Sequence, residues 1–511
     1  MNIVEKYKDK IDGVLSTFDR MIISGYLLPL LKYNQFSYYL HENNVLLKDF
    51  DKFAQKQTKS LCEHIEEYVH DNNAEIIYLS GKQNKDEIAR DIFKQTDNKV
   101  GLITCLSDVE LCNIMTVKPN HESQKLETTS KSSKCKHYYL YYNDEEFGWM
   151  FLKIQTWFPY NVQIYINGRE YCSKLFDKVG LKYEMYKNSF SYIEDYEKAQ
   201  KIADGILNKK LSDSFDGLVS NINNHLPKIK DILGCSYYWC IDQCEFATDI
   251  TFKSREDLKL FYKTLVETSY FTFSSEDIYS FMGRKVDHIN KFKGQIVSDL
   301  RHWYDGYRIK FKLKNNQIKM YDKWNNLRIE TTINNPKDFK ILKTITNDET
   351  GEIVEEKKWV PMGKSIANLY RYVEISKNIT NRYIDALPDI DIEENVPISD
   401  IETLSSPIIV DDKKYTGFNI LCPDTTKLLS IISDGKYIIN GFSNKTIRDD
   451  YFEDEVTKKD ISKMSRLLKK LRVYGITKKV PRKNKYYLTT KGRKITNSIL
   501  VYTRKTLLDN R

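Results

Sequence analysis

A phenol two residues before an ammonium and nine before a carboxylate is a set that can cleave phosphodiesters, and Tyr321, Lys323 and Glu330 have that spacing. A phenol whose ordinary pKa is near 10 becomes a better nucleophile when neighbouring cations stabilise its phenolate. A carboxylate can hold a divalent ion that polarises the scissile phosphate. All three lie in YRIKFKLKNNQIKMYDKWNNLRIETTIN, residues 307–334, where apolar and polar residues alternate as they do in strands. With Asn315-Asn316 and Asn325-Asn326 read as two-residue hairpin loops, one face collects Arg308, Lys310, Lys312, Lys319, Tyr321, Lys323, Arg328 and Glu330. The other collects Ile309, Phe311, Leu313, Ile318, Met320, Leu327, Ile329 and Ile333, an apolar layer for packing on helices. Counting outward from those turns opposes Tyr321 to Lys310 on one side and to Glu330 on the other, with Lys323 opposite Arg328.

Opposed like charges cost a few tenths to about 1 kcal/mol per pair, so such a face is more comfortable with an anion across it. A phosphodiester backbone would supply that anion, which makes Arg308, Lys310, Lys312, Lys319 and Arg328 candidate nucleic-acid contacts. The plainer alternative is a solvated basic face whose tyrosine serves β propensity. Further acids stand in CEFATDITF, where Glu245 and Asp249 project from one face of a strand. At about 13 Å apart they cannot share one ion, but each can contribute to a site completed by Glu330 or Asp299. If the protein is an enzyme, Mg²⁺ or Mn²⁺ is the cofactor expected; the competing reading makes these two acids exposed surface groups.

The remaining constellations are less specific. IQTWFPYNVQIYING offers Gln155, Trp157, Phe158, Gln163 and Asn167 for stacking bases and bonding their edges, or for filling an aromatic core. FDR at 18–20 and FMGRK at 281–285 are basic spots that match neither a P-loop nor a dinucleotide fingerprint. The nine cysteines contain no C-x-x-C pair, so they read as reduced cytosolic thiols, and Cys240 with Cys244 makes an improbable zinc site. No run of 18 apolar residues occurs, so nothing is expected to span a membrane and a cytoplasmic location follows.

These residues need elements to position them. With 511 residues and 41% apolar composition the chain has material for two or three domains, and the pattern is α+β. Residues 1–125 read as a helical then α/β region: helices over the first seventy residues, strands at AEIIYLSG and VGLITCLS, and between them a helix capped by Asn84. HESQKLETTSKSSKCK reads as a loop or wide hairpin tip. Residues 126–384 read as a central α+β domain, with three antiparallel strands in 137–167, helices at 193–209 and 211–232, and the charged sheet described above. An acidic, proline-bearing linker is expected over 385–422, and a basic module over 423–511.

The charge is concentrated in that last module. Residues 458–511 hold eighteen Lys and Arg against Asp460 and Asp509, a net +16, which leaves −7 for the rest of a chain whose total is +9. Met464, Leu467, Leu468 and Leu471 recur at helical spacing, capped by Asp460 or Ser462, with Lys463, Arg466, Lys469 and Lys470 on other faces. GITKKV, PRKNK and KYYLTT then give strand, basic turn and strand before a closing helix. This order closely resembles the winged-helix domain of MarR-type regulators. The resemblance implies that the 462–473 helix enters a DNA groove while Arg482, Lys483 and Lys485 in the wing contact phosphate.

IKMYDK followed by LRIE is similar to the tyrosine segment of rolling-circle replication initiators of the plasmid Rep-trans and filamentous-phage types. That similarity makes Tyr321 the nicking tyrosine, Lys323 its following lysine and Glu330 a metal-binding carboxylate. None of the eight histidines forms the H-x-H pair of common nickases of this kind, so any metal site would be built from carboxylates. GVLSTFDRMIISGYL, QCEFATDITF and RIETTINNPKDF together resemble a widespread bacterial family of similar length that carries the MarR label, a likeness that implies no mechanism. The function expected is a nucleic-acid-binding protein of a mobile or replicative element, acting as a metal-dependent tyrosine nickase on DNA. A non-enzymatic DNA-binding regulator and a partner of a structured RNA are the alternatives, and a homodimer is left open.

Overall fold

Strand β1, Ile11–Tyr26, occupies part of the N-terminal segment expected to be helical. Its sequence IDGVLSTFDRMIISGY mixes β-branched and aromatic residues that are largely buried, and this burial overrides the weak helical periodicity. Helices follow at Tyr33–Glu42 and Phe50–Asp71. The computed structural model describes residues 3–81, 83–96, 100–273, 275–283, 296–303, 306–347, 354–387, 404–419, 422–452 and 456–509. The chain is α+β, with large mixed sheet and many helices.

Two units divide it: one holds residues 1–13, 249–331 and 378–511, the other 14–248 and 332–377. The boundaries expected at 125/126 and 384/385 therefore do not separate compact bodies. In the 14–248 unit the remaining strands are β2 (Ile76–Tyr78), β3 (Gly101–Asn120), β4 (Lys125–Asp144), β5 (Gly148–Gln155), β6 (Val162–Asn167), the short pair β7 (Tyr183–Met185) and β8 (Phe190–Ile193), and β9 (Tyr238–Phe252). Their order is β9-β1-β6-β5-β4-β3-β2. Strands β2 and β3 pair in parallel across the helix Lys85–Lys94, whose cap is Asn84 accepting from Glu87 N, so the small α/β unit is present as expected. The three antiparallel strands expected in 137–167 are β4, β5 and β6. HESQKLETTSKSSKCK is mostly ladder: β3 and β4 pair from end to end and only residues 121–124 form the tip.

In the other unit β10 (Ile296–Trp303), β11 (Gly306–Leu313), β12 (Asn316–Lys323) and β13 (Asn326–Ile333) make a meander, and the end of β9 from Asp249 lies beside β13. Strand β10 carries Asp299, which was expected on a neighbouring strand. A hairpin of β14 (Lys340–Asn347) and β15 (Val354–Pro361) follows, then the helix Leu369–Ala386. Of the acidic linker, residues 388–403 lie outside the described residues, as do 284 and 285 of FMGRK. The described remainder is not a linker: Leu404 and Phe418 are buried in the C-terminal core, and β16 (Ile408–Val410) pairs with β17 (Lys413–Tyr415).

That C-terminal core also takes in helices Pro423–Ile432, Gly435–Asn440 and Asn444–Tyr451, the helix Lys458–Val473, strands β18 (Thr477–Lys479) and β19 (Tyr486–Leu488), and the helix Thr490–Asp509. Met464, Leu468 and Leu471 are buried at the expected spacing. The cap of the helix Lys458–Val473 is Thr457, not Asp460 or Ser462. Asp460 instead returns its carboxylate to Thr457 N, closing a capping box. Among the described residues no helix is long and apolar enough to cross a membrane.

Candidate active site and nucleic-acid interface

The two hairpin loops are Lys314-Asn315 and Trp324-Asn325, each one residue earlier than expected. Lys314 and Trp324 take positive φ of 54° and 62°, as two-residue loops of this kind require. Contacts with the end of β9 fix the second loop: Thr251 donates to Asn326 Oδ1 at 2.7 Å, and Asn325 exchanges bonds with the Phe252 backbone. Moving a loop by one residue shifts the opposed partner by two. Tyr321 therefore faces Arg308, Lys310 faces Lys319, and Lys312 faces Gln317. Because side chains alternate with period two, every residue keeps its expected face, and all eight apolar residues from Ile309 to Ile333 are buried.

The polar face is not open as expected. It is graded from an exposed edge at Lys312 to a sealed interior, where Tyr321, Lys323, Arg328 and Glu330 are 6%, 4%, 0% and 2% exposed. Tyr321 donates its hydroxyl to Glu330 Oε2 at 2.7 Å, and Lys319 Nζ donates to Oε1 of the same carboxylate at 2.5 Å. Arg328 grips Asp249 with two bonds, 2.6 Å from Nε and 2.8 Å from Nη2. Arg328 is thus spent on a bidentate buried pair and not presented to phosphate, and Asp249 is its counterion. On the outer strand Asp299 sits opposite Lys310 and accepts from Arg308 Nη2 at 3.1 Å and from Arg301 at 2.8 Å.

Burial alone would raise Glu330, but Lys319, the Tyr321 hydroxyl and Arg328 outweigh it and hold the carboxyl below its usual range. Asp299 is likewise held low against partial burial, by Arg301 and Lys310.

Glu245 is buried, contrary to the surface-acid alternative, and so is Asp249. Glu245 accepts from Arg20 Nε and from Gln243, both at 2.9 Å. Asp19, which the sequence reading passed over inside a basic spot, has a carboxylate oxygen within 4.8 Å of one on Glu245. It accepts from Asn188 at 2.6 Å and lies 4.0 Å from buried Arg169. The signal was its position on β1 beside Arg20, which only the pairing of distant strands makes meaningful. Two buried carboxylates of this kind are hard oxygen donors suited to Mg²⁺ or Mn²⁺.

In the C-terminal module Lys463, Arg466 and Lys469 are exposed along the helix Lys458–Val473, with Lys463 3.4 Å from exposed Asp424. Lys470 is turned inward, donating to Gly417 O at 2.9 Å and lying over the Phe418 ring. Arg482 and Lys483 are exposed in the turn between β18 and β19, where Arg482 has φ 58°, and Lys485 is half-buried.

The aromatic stretch at 155–167 is core. Phe158 is wholly buried among Phe36, Tyr39, Phe50 and Phe53, and Gln155 bonds Asn113 O. The nine cysteines form no disulfide. In comparisons with protein-family models, curated proteins and solved structures, nothing matches the chain.

Proposed function

We propose that this is a DNA-binding protein of a mobile or replicative element that nicks one strand through Tyr321. The observation that carries the reading is the hydrogen bond from the Tyr321 hydroxyl to Glu330, whose second oxygen is held by Lys319. An ionised carboxylate in contact with a phenol is placed to take its proton as the oxygen attacks, and Lys319 and the opposed Arg308 supply positive charge for the phenolate and the phosphate. In the step, Glu330 takes the phenolic proton, Tyr321 Oη bonds to phosphorus, and one phosphorus–oxygen bond of the strand breaks. The departing sugar oxygen takes a proton from solvent, and Glu330 releases the phenolic proton to solvent. Because Tyr321 is buried, attack requires the hydroxyl to turn from Glu330 toward an incoming strand.

Asp19 and Glu245 are the residues that would hold a divalent ion, and such an ion would supply Lewis acidity. Lys463, Arg466 and Lys469, with Arg482 and Lys483, are assigned to duplex binding by phosphate neutralisation.

The test is to incubate supercoiled plasmid bearing the gene's flanking DNA with Mg²⁺ or Mn²⁺ and the protein, or its Tyr321→Phe variant. The expected result is relaxed plasmid with a covalent adduct that maps to Tyr321 and is absent from the variant. A second reading, favoured by the burial of Tyr321 and Glu330, is a regulator that binds DNA without cutting it. Intact plasmid with both proteins, together with salt-sensitive binding, would establish that reading and exclude the nickase.

A further inference from the structure

Three cations converge on one carboxylate at the outer edge of the charged sheet face. Asp299 Oδ1 accepts from Arg301 Nε at 2.8 Å, while Oδ2 accepts from Arg308 Nη2 at 3.1 Å and lies 3.3 Å from Lys310 Nζ. Among these four side chains positive charge exceeds negative. The register adds repulsion, since Arg301 stands opposite Arg308 and Lys310 opposite Lys319. Stability alone asks for one counterion per acid, whereas this arrangement aims three donors at a single anion.

A phosphodiester is held on the same terms, by planar guanidinium forks and an ammonium group. Its two non-bridging oxygens share one negative charge, as the two oxygens of a carboxylate do. Exchanging one for the other therefore leaves the charge of the cluster unchanged. The position is also open to exchange. The side chain of Arg301 is 68% exposed and that of Arg308 12%, and Arg308 directly opposes Tyr321. An anion that enters at Arg301 and settles on Arg308 is beside the phenol. Asp299 is itself partly exposed, and ion pairs open to water are weak enough to give way.

We propose that Arg301, Arg308 and Lys310 form a seat for one phosphate of a DNA strand, which the Asp299 carboxylate occupies until DNA displaces it. The proposal rests on the nickase reading for its DNA, since the seat adjoins Tyr321.

The seat is tested first without DNA. Unfolding midpoints of the protein and of Asp299→Asn are compared in inorganic phosphate and in sodium chloride of equal ionic strength. Phosphate is expected to raise the midpoint of Asp299→Asn by about 2–4 °C more than that of the parent, because a ligand stabilises the state that binds it. Asp299→Ser takes its place if the asparagine variant folds poorly. Glu256→Gln makes the same charge change at an exposed acid and is expected to respond as the parent does. Adding Arg301→Ala and Lys310→Ala to Asp299→Asn is expected to abolish the gain. With supercoiled plasmid and Mg²⁺, Asp299→Asn is expected to nick roughly twofold to fivefold faster, the strength of a partly exposed ion pair.

An equal phosphate response in the parent and Asp299→Asn, or the same gain in Glu256→Gln, would overturn the seat. A gain that survives the loss of Arg301 and Lys310 would remove the assignment to those cations, and an equal gain in acetate the assignment to phosphate. An unchanged nicking rate beside a clear phosphate gain would show that DNA does not displace Asp299. The two proposals fail separately. A protein that never nicks but shows the gain in Asp299→Asn removes the nickase and keeps the seat. A Tyr321-dependent nick with no such gain removes the seat and keeps the nickase.

Discussion

The face of β11–β13 and the helix Lys458–Val473 both set cations at the spacing of a regular element, yet Arg328 is wholly buried against Asp249 while Lys463, Arg466 and Lys469 are exposed. The difference lies in where acids are available. Asp249 and Asp299 come from outside the 307–334 stretch and from strands on either side of it, and with Glu330 they turn a row of like charges into a matched network. Residues 458–511 contain only Asp460 and Asp509, and Asp460 is committed to capping. A run of lysines and arginines thus stays exposed where the fold brings few carboxylates to it, here Asp424 beside Lys463.

The comparison breaks first at Arg328. Arg328→Ala leaves Asp249 charged and buried without its bidentate partner, an expected loss of about 3–5 kcal/mol in denaturant unfolding. Arg466→Ala, at an exposed position, is expected to stay within about 0.5 kcal/mol of the parent. Equal costs at the two positions would erase the distinction between them.

A smaller effect comes from acid. Glu330 is held below its ordinary value, so its contribution is fully present above the unfolded value near 4.5 and is lost as pH falls through the lower folded pKa. Stability measured from neutral pH downward should drop in that window, and Glu330→Gln should flatten the drop. An unchanged profile would mean that Lys319 and Tyr321 do not hold the carboxylate ionised.

The smallest stability effect, with the clearest binding effect, is expected at the exposed helix. Replacing Lys463, Arg466 and Lys469 together by Ala should leave the unfolding midpoint unmoved and reduce the salt slope of duplex binding by about 2.7, since each phosphate left without its cation removes about 0.9. A midpoint that moved with this triple variant would place those residues in the same class as Arg328.

Much of the fold was legible because local chemistry dictates it. Alternation in 307–334 gave both faces correctly, the spacing of Met464, Leu468 and Leu471 gave the buried stripe of its helix, and Asn84 gave its cap. Strand β1 was missed because burial, not periodicity, decides a strand that is apolar on both sides. The second loop was displaced by one residue because Asn326 is claimed by Thr251, a bond across 75 positions that no local rule contains. Asp19 was passed over because its neighbour on another strand, Glu245, is 226 positions away in the chain.

By itself the sequence determined which side chains share a face, since a period of two survives any even shift in pairing. It also determined that the last fifty-four residues would stay basic, since they carry almost no acid to neutralise them. Only the tertiary structure decided that Tyr321 meets Glu330 and Lys319 in a sealed interior while Arg301 on the outer strand stands in solvent. Burial and ion pairing depend on groups brought together from distant strands, and the energy of such a pair is set by the water excluded around it as much as by the charges themselves.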